Sequence, residues 1–224
     1  KYASNSFLAT KISFINEVAD LCEVVGANVQ DVSKAMGIDR RIGPKFLNAG
    51  PGYGGSCFPK DVKAFFSSAK KYNVDLSIIN AVHESNQKRI KNVGEKIIKK
   101  ISSKSVLAFL GLSFKPNTDD IRESSSTKLA IYLYERGFKI NCFDPAAMKN
   151  LKKEFHNFNY FNSAYEACKN VDAIIIGTEW NEFRALNFKE ICKLVNTKKI
   201  FDLRNIYDGS ELKKLGFEYY GTGK

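Results

Sequence analysis

Over residues 2–25 the apolar positions Leu8, Ile12, Ile15, Ala19 and Cys22 fall at spacings of four, three, four and three, the repeat of one helical face. Val18 and Val25 widen that stripe. Gly26 then supplies a residue that tolerates the left-handed conformation in which helices commonly end. A shorter helix is expected over residues 28–36, stopped by Gly37. Beyond a loop, residues 60–72 carry Val62, Phe65, Phe66 and Ala69 at inward spacing. A long helix is predicted from about Leu76 to Ile101, with Ile79, Val82, Ile90, Val93, Ile97 and Ile98 on its apolar side. Lys96, Lys99 and Lys100 place cations where the helix dipole is negative. The first hundred residues therefore read as all-helical.

At Ser102-Ser103-Lys104 the period changes. Val106 to Leu110 is a short apolar run closed by Gly111, the pattern of a strand buried on both faces. Helices are then expected at 124–136, 147–155, 163–169, 188–195 and 209–215. Between them fall strands at 139–143, 158–161, 172–177, 200–202 and 217–220. Such alternation implies a parallel sheet with helices on both faces. The fold class is α/β: an all-helical domain at 1–101, then a Rossmann-like parallel-sheet domain at 102–224.

Composition adds bounds. Hydrophobic residues make up 44% and charged residues 26%, as in ordinary soluble domains. No run of eighteen apolar residues suggests a membrane span. The start, Lys-Tyr-Ala-Ser-Asn, enters a structured pattern directly and lacks a signal-peptide layout. The net charge of +11 admits a nucleic-acid partner or an anionic nucleotide substrate, and composition does not decide between them. The lysines are spread along solvated helix faces, without the interleaved aromatics that would favour nucleic acid. Cys22, Cys57, Cys142, Cys168 and Cys192 are widely spaced, and His83 and His156 lie far apart. The reading is a reducing cytoplasm, free thiols and no metal.

One stretch carries chemistry. Residues 50–61 read Gly-Pro-Gly-Tyr-Gly-Gly-Ser-Cys-Phe-Pro-Lys-Asp, a density of glycine and proline that excludes helix and strand. Glycines let a backbone approach a ligand closely. Within this loop Cys57 precedes Lys60, whose ammonium favours a thiolate, and Asp61, a carboxylate able to orient a water or accept a proton. A small buried cysteine in a tight turn is the ordinary alternative.

Gly54-Gly55-Ser56-Cys57-Phe58-Pro59-Lys60-Asp61 resembles the catalytic-cysteine motif of the UDP-glucose 6-dehydrogenase family, and Phe58 leans toward its glucose branch. Phe114-Lys115-Pro116-Asn117-Thr118-Asp119-Asp120-Ile121-Arg122-Glu123-Ser124 resembles the family's nucleotide-sugar domain, and Asp202-Leu203-Arg204-Asn205 a further family position. The resemblance covers the whole chain. It implies a central dimerisation domain followed by a UDP-sugar domain, and NAD-dependent oxidation of UDP-glucose to UDP-glucuronate through a cysteine thiohemiacetal and thioester. Cys57 is then the nucleophile. Lys1 and Asn5, which by spacing alone are an exposed pair on one helix face, become oxyanion donors, and Asp61 activates the hydrolytic water. The implied substrate contacts are Lys1, Asn5, Asn48, Ala49, Gly50, Pro51, Gly52, Tyr53, Gly54, Phe114, Lys115 and Arg204, with Arg41 reaching a neighbouring subunit. Cys57, Lys60 and Arg122 would line the NAD.

The family opens with a Rossmann domain bearing G-x-G-x-x-G and a catalytic Glu, and this chain has neither. The main NAD-binding domain is therefore expected outside it. Two alternatives stay open: the chain alone is a nucleotide-sugar-binding and dimerisation module, or the sugar nucleotide is GDP-mannose or a UDP-N-acetylhexosamine. For Asp144-Pro145, a strand end and turn is a sufficient reading.

Overall fold

The computed structural model describes residues 1–224. Four helices come first: α1 (Tyr2–Val25), α2 (Val29–Ile38), α3 (Phe58–Lys71) and α4 (Ser77–Ile98). Six strands follow: β1 (Val106–Leu110), β2 (Lys139–Phe143), β3 (Asn159–Tyr160), β4 (Ala173–Ile176), β5 (Lys199–Asp202) and β6 (Glu218–Gly221). Between them lie α5 (Ser125–Tyr134), α6 (Met148–Glu154), α7 (Ala164–Ala167), α8 (Asn181–Arg184), α9 (Phe188–Ile191) and α10 (Gly209–Lys214).

All strand pairings are parallel, in the order β3-β2-β1-β4-β5-β6. The order reverses between β1 and β4, and at such a switch point the carboxyl ends of the strands open a ligand crevice. Leu110 faces Phe143 and Ile176 in register, so the chain leaves β1, β2 and β4 side by side. Leu107, Phe109, Ile140 and Ile175 pack on one face of the sheet against Leu129 and Leu133 of α5. Ala108, Leu110, Ile174 and Ile176 pack on the other against Phe183 and Ile191.

Val93 and Ile97 of α4 belong to the first of these cores, so the long helix ties the helical layer to the sheet. Gly94 lets it come close, since a Cβ there would lie 2.4 Å from the Tyr132 ring of α5. The end of the chain makes a second tie: Val29 N–H donates to Gly223 O at 2.8 Å, and Gly223 N–H to Glu23 Oε1 at 2.9 Å.

Several boundaries depart from the periodic reading. Gly37 lies inside α2, where Pro44 occupies the space of a side chain: a Cβ would be 2.9 Å from Pro44 Cα. Helix α3 begins at Phe58, inside the stretch read as loop. Pro59 in its first turn lacks only an N–H that would have no helical partner anyway. The helix expected over 188–195 stops at Ile191, and the Leu194 carbonyl accepts from Asn170 N–H instead. Helix α8 is too short to show a period. Val25 is exposed, outside the inward stripe of Ile15, Ala19 and Cys22. No helix is long and apolar enough to cross a membrane.

Candidate active site

The glycine-rich loop is held by side chains of the helices beneath it. Asn16 Oδ1 accepts from Gly50 N–H at 2.8 Å, and Arg89 Nε donates to Gly50 O at 3.0 Å. Asn86 takes both polar groups of Tyr53, accepting from its N–H at 2.9 Å and donating to its carbonyl at 3.1 Å. The Tyr53 ring is buried beside Ala9, Val62 and Val82, and burial pushes its phenol up to about 12.

From there the loop runs hard against the sheet domain. A Cβ on Gly54 would lie 2.3 Å from Glu123 O, and one on Gly55 would strike the Phe114 ring at 2.7 Å. Gly55 also has φ +81°, which any other residue adopts at a cost. Both glycines are therefore required by the approach.

The loop delivers Cys57 to the N-cap of α3, where the thiol is exposed and free. Asp61 sits one turn further on and is fully buried. Its Oδ2 accepts from Asn5 Nδ2 at 2.6 Å, with Lys1 Nζ 3.9 Å away. Its Oδ1 has no hydrogen-bond partner and lies 4.0 Å from Lys60 Nζ. The structure thus brings Lys1, Asn5, Lys60 and Asp61 to the helix turn that begins at Cys57.

The opposite wall comes from the switch point. Asp144, read from sequence as a plain strand end, is buried and accepts from Leu112 N–H at 2.8 Å, Ser113 N–H at 2.9 Å and Ser113 Oγ at 2.9 Å. It also accepts from Ala146 and Ala147 N–H, at 3.0 and 2.8 Å. Thr178 Oγ1 donates to Ser113 O at 2.6 Å, which completes the clamp. The clamped loop presents Phe114 to Gly55 and leaves Lys115 exposed, its ammonium 5.3 Å from the Phe114 ring centre.

Ser124 caps α5 and donates to Leu112 O at 2.6 Å. Arg122 is exposed and doubly bonded to Asp120, at 2.9 and 2.8 Å. That pairing raises the guanidinium pKa, and Cys57 lies close enough to add to the effect.

Arg204 follows β5 and is largely covered. Its Nε donates to Gly177 O at 2.7 Å, with Glu179 Oε2 at 3.3 Å, and a Cβ on Gly50 would lie 3.2 Å from its Nη1. A cleft of about 260 Å³ beside it is lined by Ser33, Lys34, Asn48, Ala49, Arg204 and Asn205. Arg41 is not brought to this cluster. It is exposed and paired with Asp39 at 2.6 Å, on a loop that Lys11 of α1 holds through Ile42 O at 2.9 Å.

Sequence reasoning missed Asn16, Asn86, Arg89 and Asp144. A signal existed on α4. Val82, Asn86, Arg89 and Val93 repeat at four, three and four, so two polar residues interrupt a buried stripe. Such interruptions mark side chains with dedicated partners.

Residues 1–88 match the family model for the central domain of the UDP-glucose/GDP-mannose dehydrogenase family, and residues 108–209 the one for its UDP binding domain. The UDP-glucose 6-dehydrogenase of Rickettsia typhi is 49% identical, with 100% of this chain aligned to 52% of that protein. The UDP-glucose 6-dehydrogenase of Rhizobium meliloti is 46% identical over the same shares, 100% and 52%. The structure of a UDP-glucose dehydrogenase from Pyrobaculum islandicum superposes with a TM-score of 0.89 at 33% identity, covering 100% of this chain and 50% of that one. The chain thus spans about half the length of the curated relatives it matches.

The loop contact makes Gly54 a test of the packing. Gly54→Ala should cost about 1–3 kcal/mol, the usual penalty of overpacking, read from the urea midpoint. An unchanged midpoint would show that the loop does not press on the Glu123 backbone.

Proposed function

The chain belongs to the UDP-glucose/GDP-mannose dehydrogenase family, and from that premise we propose that it carries the nucleophile and the nucleotide-sugar site of an enzyme oxidising UDP-glucose to UDP-glucuronate. The observation that carries this reading is the exposed Cys57 thiol one turn before buried Asp61, whose side chain is held by Asn5.

In this mechanism the Cys57 sulfur adds to the aldehyde carbon derived from the sugar alcohol. Lys1 and the free amide hydrogen of Asn5 donate to the oxygen that gains charge. The sulfur later forms the acyl bond of a thioester, and water cleaves it to the acid and the thiol. Asp61 is the base for that water: Asn5 holds Oδ2, and Oδ1 is left without a partner. NAD supplies the hydride acceptor for the two oxidations.

Lys60 and Arg122, both exposed, fit one edge of a dinucleotide diphosphate beside Cys57. The loop Gly111 to Lys115 is not a G-x-G-x-x-G turn, so the chain offers NAD an edge rather than a full cradle. Residues 48–54, Phe114, Lys115 and Arg204 hold the sugar nucleotide, its phosphates meeting the two cations. UDP-glucose is favoured over GDP-mannose or an acetamido sugar by the 46–49% identity to UDP-glucose 6-dehydrogenases. The setting we propose is cytoplasmic, in line with five free thiols.

We also read the chain as a homodimer. The stripe of Ile15, Ala19 and Cys22 is used up in its own core. Helix α1 carries a second apolar face, Phe7, Phe14 and Leu21 at sevenfold spacing, with exposures of 66%, 49% and 61%. Lys11 ties the Arg41 loop alongside that helix, which suits an arginine reaching a partner's site.

Three experiments test this reading. In a longer protein that includes the NAD domain, Cys57→Ser should stall after the first oxidation or trap an ester, and normal turnover to the acid would remove Cys57 as nucleophile. By calorimetry this chain should bind UDP measurably and NAD poorly. Lys115→Ala should weaken UDP binding roughly 10-fold to 100-fold, as expected for losing a hydrogen bond to a charged group. NAD binding as tight as UDP binding would mean that the two nucleotides had been assigned wrongly. Sedimentation should give a dimer at micromolar concentration and a monomer for Phe14→Glu; a wild-type monomer would refute the dimer.

A further inference from the structure

Arg89 is a charged residue with 4% exposure, and it takes no part in the chemistry above. Its Nε donates to Gly50 O at 3.0 Å, while Nη1 donates to Asn16 O at 3.2 Å and to Asp20 Oδ1 at 2.5 Å. Asn16 closes the arrangement by accepting from Gly50 N–H at 2.8 Å. Both backbone polar groups of Gly50 are thus held by one unit built from α1 and α4. On its other side Gly50 meets Arg204 closely: a Cβ would lie 3.2 Å from Nη1, so the guanidinium would have to give by a few tenths of an ångström. Gly50 is where the glycine loop and the arginine of the sheet domain are set against each other.

The same unit continues to the segment that carries Arg204. Asp20 also accepts from Lys96 at 2.7 Å, and Lys96 bonds Glu23 at 2.5 Å. Glu23 accepts from Gly223 N–H at 2.9 Å, and Thr222 O accepts from Asn205 Nδ2 at 2.8 Å, one residue past Arg204. Burial would raise the Asp20 carboxyl, but Arg89 and Lys96 together outweigh it and hold the group below the usual range. A guanidinium suits the place because its rigid planar fork presents donors from two nitrogens to three acceptors, whereas an ammonium's donors sit on one atom at the end of a flexible stem.

We propose that Arg89 is a positioning residue for nucleotide-sugar binding, fixing Gly50 and thereby the spacing between the glycine loop and Arg204. This rests on reading that loop and Arg204 as the substrate site.

The test uses the 224-residue chain, with UDP-glucose as titrant and iodoacetamide alkylation of Cys57 as a second readout. Arg89→Lys keeps the charge and should lower UDP-glucose affinity about tenfold, or about 1.4 kcal/mol, with little change in the urea midpoint. Cys57 should still react, but UDP-glucose concentrations that shield it in the wild type should no longer do so. Added guanidinium ion should restore affinity to Arg89→Ala. If that variant does not fold, Asp20→Asn, which removes the carboxylate steadying Arg89, should weaken binding in the same direction.

Wild-type affinity and shielding in Arg89→Lys would overturn the proposal while leaving the substrate reading intact. A stability loss as large as the affinity loss would make Arg89 merely structural and overturn it too. A wild-type chain that does not bind UDP-glucose would overturn the substrate reading, and this inference with it.

Discussion

The Glu123 carbonyl oxygen occupies the position that a side chain on Gly54 would need, at 2.3 Å, and the rest of the site depends on that approach. It brings a loop of the helical layer onto the crevice of the sheet, so that Cys57 and Phe114 share one surface. A backbone can pass this close to another only where it carries no side chain, and glycine meets that condition. Gly50 is a looser contact at the other end of the loop, where a Cβ would lie 3.2 Å from the Arg204 guanidinium. Between these points the loop has no regular structure of its own, and its polar groups turn to Asn16, Asn86 and Arg89.

Charge is distributed to match. Lys1, Lys60, Lys115 and Arg122 are exposed cations around or facing the loop, and Arg204 lies deeper. Asp61 is a buried carboxylate among them, one oxygen bonded and the other free. A buried carboxylate without countercharge is expensive, and the two ammonium groups near 4 Å supply it. The same cations suit anionic ligands with two phosphates.

Much of the fold was legible in the sequence because it rests on short-range periodicity. The amphipathic repeats of α1 and α4, the apolar runs of β1 and β4 and the alternation after residue 102 each follow from side-chain burial on one face or two. The cysteine loop was legible from its glycines, and the nearness of Asn5 and Asp61 was expected only through family resemblance. Boundaries slipped where a distant contact replaced a local rule, as Pro44 does at Gly37 and Asn170 at the end of α9.

The sequence by itself determined that four helices precede an alternation of strands and helices, that the sheet is parallel, and that one thiol stands in a loop built for close approach. These are properties of neighbours along the chain, where spacing alone decides which side chains share a face. Tertiary structure alone decided that Asn86 and Arg89 hold the loop and that Asp144 clamps the strand-end turn. It also decided that α1 leaves Phe7, Phe14 and Leu21 exposed. Those facts depend on which groups meet across more than thirty residues of chain, and a buried polar atom takes whatever partner the packing brings within reach.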